Sequence, residues 1–212
     1  MDLTRLPLDA VWQPDGKMPE KGPVLIVLHG RGDSTEGFTW MKDELDIPGL
    51  SLLLLNAPDP YYGGYSWYDL PPDQLPGILR SRRLLEAVME ELVQQGFDLS
   101  CCFLFGFSQG CLMTLEFGGR YSRKLAGYIG ISGYVFDWEK LLQEANQEVM
   151  KGEWLVTHGT HDDVLPVETT REQIRQLKEG GFKIEYHEYR KVHTIDPEDE
   201  LSLIRNWIKA RM

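Results

Sequence analysis

The chain has 212 residues, 42% of them apolar, with a formal net charge of −11 and three cysteines. Its length and apolar share suffice for one core, so a single domain over residues 1–212 is expected. The acidic balance excludes nucleic acid as a partner, because phosphates would be repelled, and no Lys/Arg run offers a local exception.

The opening residues Met1 to Pro7 carry no apolar core of a secretory signal, and no stretch is long enough to cross a bilayer. A cytoplasmic protein without stable membrane insertion is expected; the oligomeric state stays open. Cys101, Cys102 and Cys111 fall within or beside an apolar strand and the helix after it, and read as reduced packing residues.

In chain order, Ala10 to Trp12 reads as a weak antiparallel edge strand. Val24 to Leu28, Leu52 to Leu55, Cys101 to Phe105, Gly127 to Ile131 and Trp154 to Thr157 are short apolar runs separated by helical or loop segments. That alternation predicts an α/β architecture, a mainly parallel central sheet with helices on both faces. Between Asp59 and Asp73, Tyr61, Tyr62, Tyr65, Trp67 and Tyr68 are interleaved with glycines and prolines and show neither helical nor strand period. This segment reads as an aromatic flap or as a surface loop stapled by its own rings. A helix follows over about Gln74 to Gln95, where Leu75, Ile78, Leu79, Leu85, Val88, Met89 and Leu92 form one stripe. Residues 138–149 read as a further helix, and another runs from Pro166 to Gly180-Gly181. Phe182 to Tyr186 alternates as a sixth strand nearer the sheet edge, and the last helix starts at Asp196-Pro197.

The chemistry centres on Gly106-Phe107-Ser108-Gln109-Gly110, which lies between an apolar strand and a helical stretch. Glycines on both sides permit a strained strand-to-helix turn that lifts the serine hydroxyl clear of the sheet. An alcohol needs a base within hydrogen-bond reach and a third group to orient that base. Of five histidines, His193 alone lies in the loop between the last strand and the C-terminal helix. That loop is a carboxyl strand end, where α/β sheets gather their substrate-contacting groups. The acid is sought in His158-Gly159-Thr160-His161-Asp162-Asp163. Asp162 is preferred, while Asp163 suits a helix cap at Pro166; spacing alone does not separate the two. A metal site on His158, His161 and Asp162 ranks below this, because no second cluster completes it; neither metal nor cofactor is expected. An oxyanion requires two N–H donors, for which the backbone of Gln109 and, from the glycine-bounded Leu28 to Asp33 loop, that of Arg31 are the candidates. His29 then serves as a side chain holding that loop.

Taken together, Leu28-His29-Gly30, Ser66-Trp67-Tyr68-Asp69, Gly106 to Gly110, His158-Gly159 with Asp162, and His193 resemble the α/β-hydrolase superfamily. More narrowly, they resemble the phospholipase/carboxylesterase family that includes the acyl-protein thioesterases. The resemblance implies Ser108, Asp162 and His193 as a catalytic triad and favours Asp162 over Asp163. It also implies Trp67, Tyr134 and Val164 on an acyl pocket. The family usually carries a leucine where Arg31 stands and a glycine where Cys111 stands, so an apolar contact with long acyl chains is missing here. The expected function is a carboxylesterase acting through an acyl-enzyme on a small acyl ester or thioester. The alternatives are an acyl-protein thioesterase or lysophospholipase for longer chains, and a catalytically silent ligand-binding relative.

Overall fold

The computed structural model describes residues 1–16 and 19–212. Nine strands form: β1 (Ala10–Gln13), β2 (Val24–Leu28), β3 (Ser51–Leu55), β4 (Asp59–Tyr61), β5 (Gly64–Ser66), β6 (Cys102–Phe107), β7 (Gly127–Ile131), β8 (Trp154–Gly159) and β9 (Ile184–Tyr189). The helices are α1 (Met41–Leu45), α2 (Gln74–Gln94), α3 (Gln109–Gly118), α4 (Trp138–Glu144), α5 (Gln147–Met150), α6 (Val167–Glu179) and α7 (Asp199–Lys209).

Seven strands make one sheet in the order β1-β3-β2-β6-β7-β8-β9, antiparallel only where β1 meets β3. The alternating pleat decides which face each residue serves. In β2, Val24, Ile26 and Leu28 belong to the core that α2, α3 and α6 cover, while Leu25 and Val27 belong to the one on the α1 and α7 side. Both faces are therefore covered, which is why the strand sequences run apolar without interruption. From β2 the chain moves to β3 on one side and only later returns to β6 on the other. The β2–β6 seam is thus a topological switch point, and the two loops leaving its carboxyl ends open beside each other. Leu28 pairs with Gly106 at that end, which brings the His29–Asp33 loop next to the turn at Ser108.

Three features differ from the sequence reading. Residues 59–66 are a β-hairpin rather than an aperiodic loop: β4 pairs with β5, and an isolated bridge joins Asp33 to Tyr65. The pairing is local, through a tight turn at Tyr62-Gly63 where both residues take positive φ, but each strand is only three residues long, too short for alternation to show. The 138–149 helix breaks in two because Ala145 is extended and the Asn146 side chain caps the N–H of Glu148. The last helix begins at Asp199, three residues past Asp196, although the Asp196 carboxylate does receive the Glu198 and Asp199 N–H groups at 3.1 and 2.8 Å.

Helix α7 is tied to the sheet by a fully buried carboxylate. Glu200 accepts from the Thr157 hydroxyl at 2.5 Å, the Asp196 N–H at 2.7 Å and the Lys191 ammonium at 2.7 Å on both oxygens. Lys191 is 6% exposed; burial pulls its ammonium below the usual lysine range, and the Glu200 charge opposes that. Removing one partner of such a pair leaves the other charge uncompensated. Glu200→Gln should therefore lower the unfolding free energy by about 3–5 kcal/mol in urea titration, and Lys191→Met combined with Glu200→Leu should recover most of the loss. An undiminished midpoint in the single variant would show that the pair contributes nothing.

Candidate active site

Strand β6 ends at Phe107 and α3 begins at Gln109, leaving Ser108 alone between them at φ 55°, ψ −114°. A non-glycine residue there is strained, at a cost of order 1–3 kcal/mol, and persists only if its surroundings fix it. Here the Ser108 N–H donates to Ile131 O at 2.9 Å, and Ser108 O accepts from the Leu112 N–H at 3.2 Å. The flanking glycines are required by contact. A Cβ on Gly106 would lie 2.0 Å from Gly110 O, and one on Gly110 would lie 2.1 Å from Leu28 O. Only hydrogen fits where strand, turn and helix converge.

The serine hydroxyl lies 2.9 Å from His193 Nε2, and His193 Nδ1 lies 2.7 Å from Asp162 Oδ2. An ionised carboxylate only accepts, so Nδ1 carries the proton and Nε2 is free to accept from the serine. Burial raises the Asp162 pKa, but the Leu165 N–H, His193 and the Val164 N–H outweigh it and hold the carboxyl below its ordinary value. The two N–H groups reach Oδ1 at 2.8 and 3.0 Å. Asp163, the other sequence candidate, is exposed, and α6 starts without a side-chain cap. The His193 ring packs against Phe107, with centroids 5.1 Å apart. Its loop is pinned where Lys191 Nζ donates to Thr194 O at 2.6 Å.

The remaining histidines take other roles. His29 is buried; its Nδ1–H donates to Gly30 O at 2.6 Å and its Nε2 accepts from the Ala57 N–H at 3.0 Å. Burial lowers its pKa, so it stays neutral and braces the loop that carries Arg31. His158 is neutral for the same reason and donates from Nε2 to Leu165 O at 2.8 Å, which fixes the segment feeding Asp162. His161 is exposed and faces Thr160, so His158, His161 and Asp162 do not converge as ligands. Cys111 is fully buried, close to Gly130 and Gly133, and burial pushes its thiol up to about 12.

The backbone N–H groups of Arg31 and Gln109 donate to no acceptor among the described residues. They belong to the two loops that the β2–β6 seam sets side by side, and both residues line a cavity of about 520 Å³ that opens onto Ser108. Tyr134 and Val164 line it as well, with Tyr68, Leu70 and Pro71. Trp67 does not, contrary to the resemblance. It is wholly buried, and its indole N–H donates to His29 O at 2.9 Å, so it supports the loop that carries Arg31 from behind. The aromatic segment is anchored at Tyr65, where Gly32 N–H donates to Tyr65 O and Tyr65 N–H to Asp33 O, both at 2.8 Å, and it borders the cavity farther on at Leu70 and Pro71.

Sequence reasoning assigned Gln109 only a backbone role. Its side chain accepts from the Trp67 N–H at 2.9 Å and the Ser66 hydroxyl at 3.2 Å, and donates to Tyr68 O at 2.8 Å. It therefore clamps the 66–68 segment to the start of α3. The only local hint was a glutamine in an otherwise buried helix. Across the cavity, Gln74 donates to the Tyr134 hydroxyl, and Gln173 brackets Val135 through its N–H and C=O at 2.9 and 2.8 Å.

No helix among the described residues is long and apolar enough to cross a membrane. Acyl-protein thioesterase 1 of Yarrowia lipolytica is 29% identical over 210 residues, covering 89% of this chain and 91% of that protein. Carboxylesterase SOBER1 of Arabidopsis thaliana is 26% identical over 205 residues, covering 89% and 90%. The crystal structure of esterase PE8 superposes with a TM-score of 0.86 at 27% identity, over 97% of this chain and 99% of that one. The sheet order and the helices on both faces are those of the α/β-hydrolase fold. With residues 13–212 matching its family model, the chain belongs to the phospholipase/carboxylesterase family.

Proposed function

We propose that the chain is a serine hydrolase that cleaves carboxylic esters through a covalent acyl-enzyme. The observation that carries this reading is the unbroken hydrogen-bonded line from Asp162 through His193 to Ser108. Ser108 Oγ attacks the acyl carbon while its proton passes to His193 Nε2, and the carbonyl electron pair moves onto oxygen. The N–H groups of Arg31 and Gln109 receive that oxyanion, each worth about 3–4 kcal/mol when removed from comparable sites. Collapse of the intermediate expels the alcohol oxygen, which takes the proton back from His193. Water then gives a proton to His193, attacks the acyl-serine and releases the acid, restoring the hydroxyl. Asp162 holds the imidazole tautomer and balances the imidazolium charge in both halves.

Thioesters fit the same steps with a thiolate as leaving group, and the name of the Yarrowia lipolytica relative favours keeping them in view. Matched oxygen and sulfur esters over a range of acyl lengths separate the two readings. Three unpaired cysteines also support a reducing, cytoplasmic setting for this single-domain enzyme.

A fluorophosphonate probe should label Ser108 by peptide mapping, and Ser108→Ala should lose the label together with on the order of 10⁶-fold in kcat. An adduct on another residue would sink the assignment. Asp162→Asn should keep the fold yet lower kcat by about 10⁴-fold, since the wrong tautomer faces the serine. The same carboxylate gives a pH signature. Its folded pKa lies below the ordinary value of about 3.9, so its stabilisation is complete above that pH and is lost as pH falls through the folded value. The gap in melting temperature between the parent and Asp162→Asn should accordingly narrow below about pH 3.9. A gap constant across that range would contradict the geometry.

A further inference from the structure

The cavity beside Ser108 is built from neutral side chains with one exception. Leu70, Pro71, Val164, Leu165 and Pro166 give it an apolar wall, and among the described residues Arg31 is its only charged lining residue. In a chain of net charge −11, several arginines spend their charge on a carboxylate; Arg80 pairs with Asp59 and Arg171 with Glu188. Arg31 does not. Among the described residues it makes no ion pair and no side-chain hydrogen bond, and its Nε is closed off from solvent with no acceptor. Its place is nevertheless defined. The guanidinium lies over the Tyr61 ring, 4.1 Å from the centroid, and Tyr61 belongs to the hairpin that is hydrogen-bonded to the same loop. An aromatic face orients a guanidinium while leaving its N–H fork free for a planar anion.

Arginine at this point departs from an otherwise apolar pocket, and leaving a cation unsatisfied there has a cost that a neutral substrate would not repay. We propose that Arg31 is a specificity-determining residue that receives a carboxylate at the far end of the acyl group, so that the preferred substrates are half-esters of short dicarboxylic acids. This rests on the esterase reading above. Because the Arg31 N–H faces the oxyanion and its side chain lines the same cavity, ester carbonyl and remote carboxylate are held by one residue, one through backbone and one through side chain. The acyl arm is assigned to this cavity because Leu70, Pro71, Val164, Leu165 and Pro166 give it an apolar wall. One residue spans both groups, so the acyl arm is short; a long fatty acyl group would bring its apolar tail against the charge.

The test compares monoethyl glutarate with its isosteric neutral amide, ethyl glutaramate, by titrating the acid released by the parent enzyme, Arg31→Leu, Arg31→Gln and Arg31→Lys. The parent should favour the carboxylate, and Arg31→Leu and Arg31→Gln should cut the carboxylate-to-amide ratio of kcat/KM by about 10- to 100-fold, the scale of one charge-assisted hydrogen bond. Arg31→Lys should retain part of the preference. A ratio taken on one preparation does not depend on how much of the variant is folded, and a merely structural Arg31 would lower both rates alike and leave it unmoved. An unchanged ratio in Arg31→Leu overturns the proposal, as does a parent preference for the amide. A carboxylate placed on the alcohol, in the butyryl ester of glycolic acid, should gain nothing; an equal Arg31-dependent gain there would overturn the acyl-side assignment. Hydrolysis of ethyl glutaramate by the parent enzyme reports the esterase reading separately.

Discussion

The structure depends on one close approach: the backbone of the first turn of α3 presses against the carboxyl end of β2, with room for nothing larger than hydrogen at Gly110 and Gly106. That contact sets the angle at which Ser108 leaves the sheet and holds it at positive φ. It also places the start of α3, with its unpaired Gln109 N–H, next to the loop carrying Arg31. The strain at one residue is sustained by many ordinary interactions around it, the parallel pairing of β2, β6 and β7 above all.

Around that contact the molecule builds rigidity in layers. His29, Trp67 and the Gln109 side chain fix the loop and the 66–68 segment through hydrogen bonds whose partners are buried main-chain groups. On the other side, the Lys191–Glu200 pair anchors the loop that presents His193. Asp162 is held by the first N–H groups after it as well as by the imidazole. A hydroxyl, an imidazole and a carboxylate from three separate loops thus meet with little freedom left to lose on substrate binding, which is the condition for efficient positioning. The cavity wall is less constrained. Leu70 and Val164 are half-exposed or more, so specificity is written where the scaffold tolerates change.

Much of the fold was legible because its signals are local. Val24 to Leu28 and Gly127 to Ile131 coincide with β2 and β7, and Ile78, Leu85, Val88, Met89 and Leu92 of the predicted stripe lie on the buried face of α2, while its Leu75 and Leu79 are exposed. Where reading failed, short local signals were joined by partners distant in sequence. The 59–66 hairpin pairs within itself and is docked by a bridge to Asp33, and the 138–149 helix breaks where Asn146 caps a new turn and its N–H reaches Gly119 O. The side chain of Trp67 turns inward because His29 O is there to receive its indole N–H.

By itself the sequence determined which candidate groups are present and in what order: glycines that admit a strained turn, a serine within it, an acid pair after one strand and a histidine after the last. These follow from backbone sterics and strand–helix alternation, which act over a few residues. Only the tertiary structure set Asp162 Oδ2 against His193 while leaving Asp163 exposed, turned Trp67 inward, gave the Gln109 side chain its clamp and left the Arg31 guanidinium unpaired beside Ser108. Those outcomes depend on distances and burial between segments far apart in the chain, and a hydrogen bond or an unpaired charge exists only once both sides are in place.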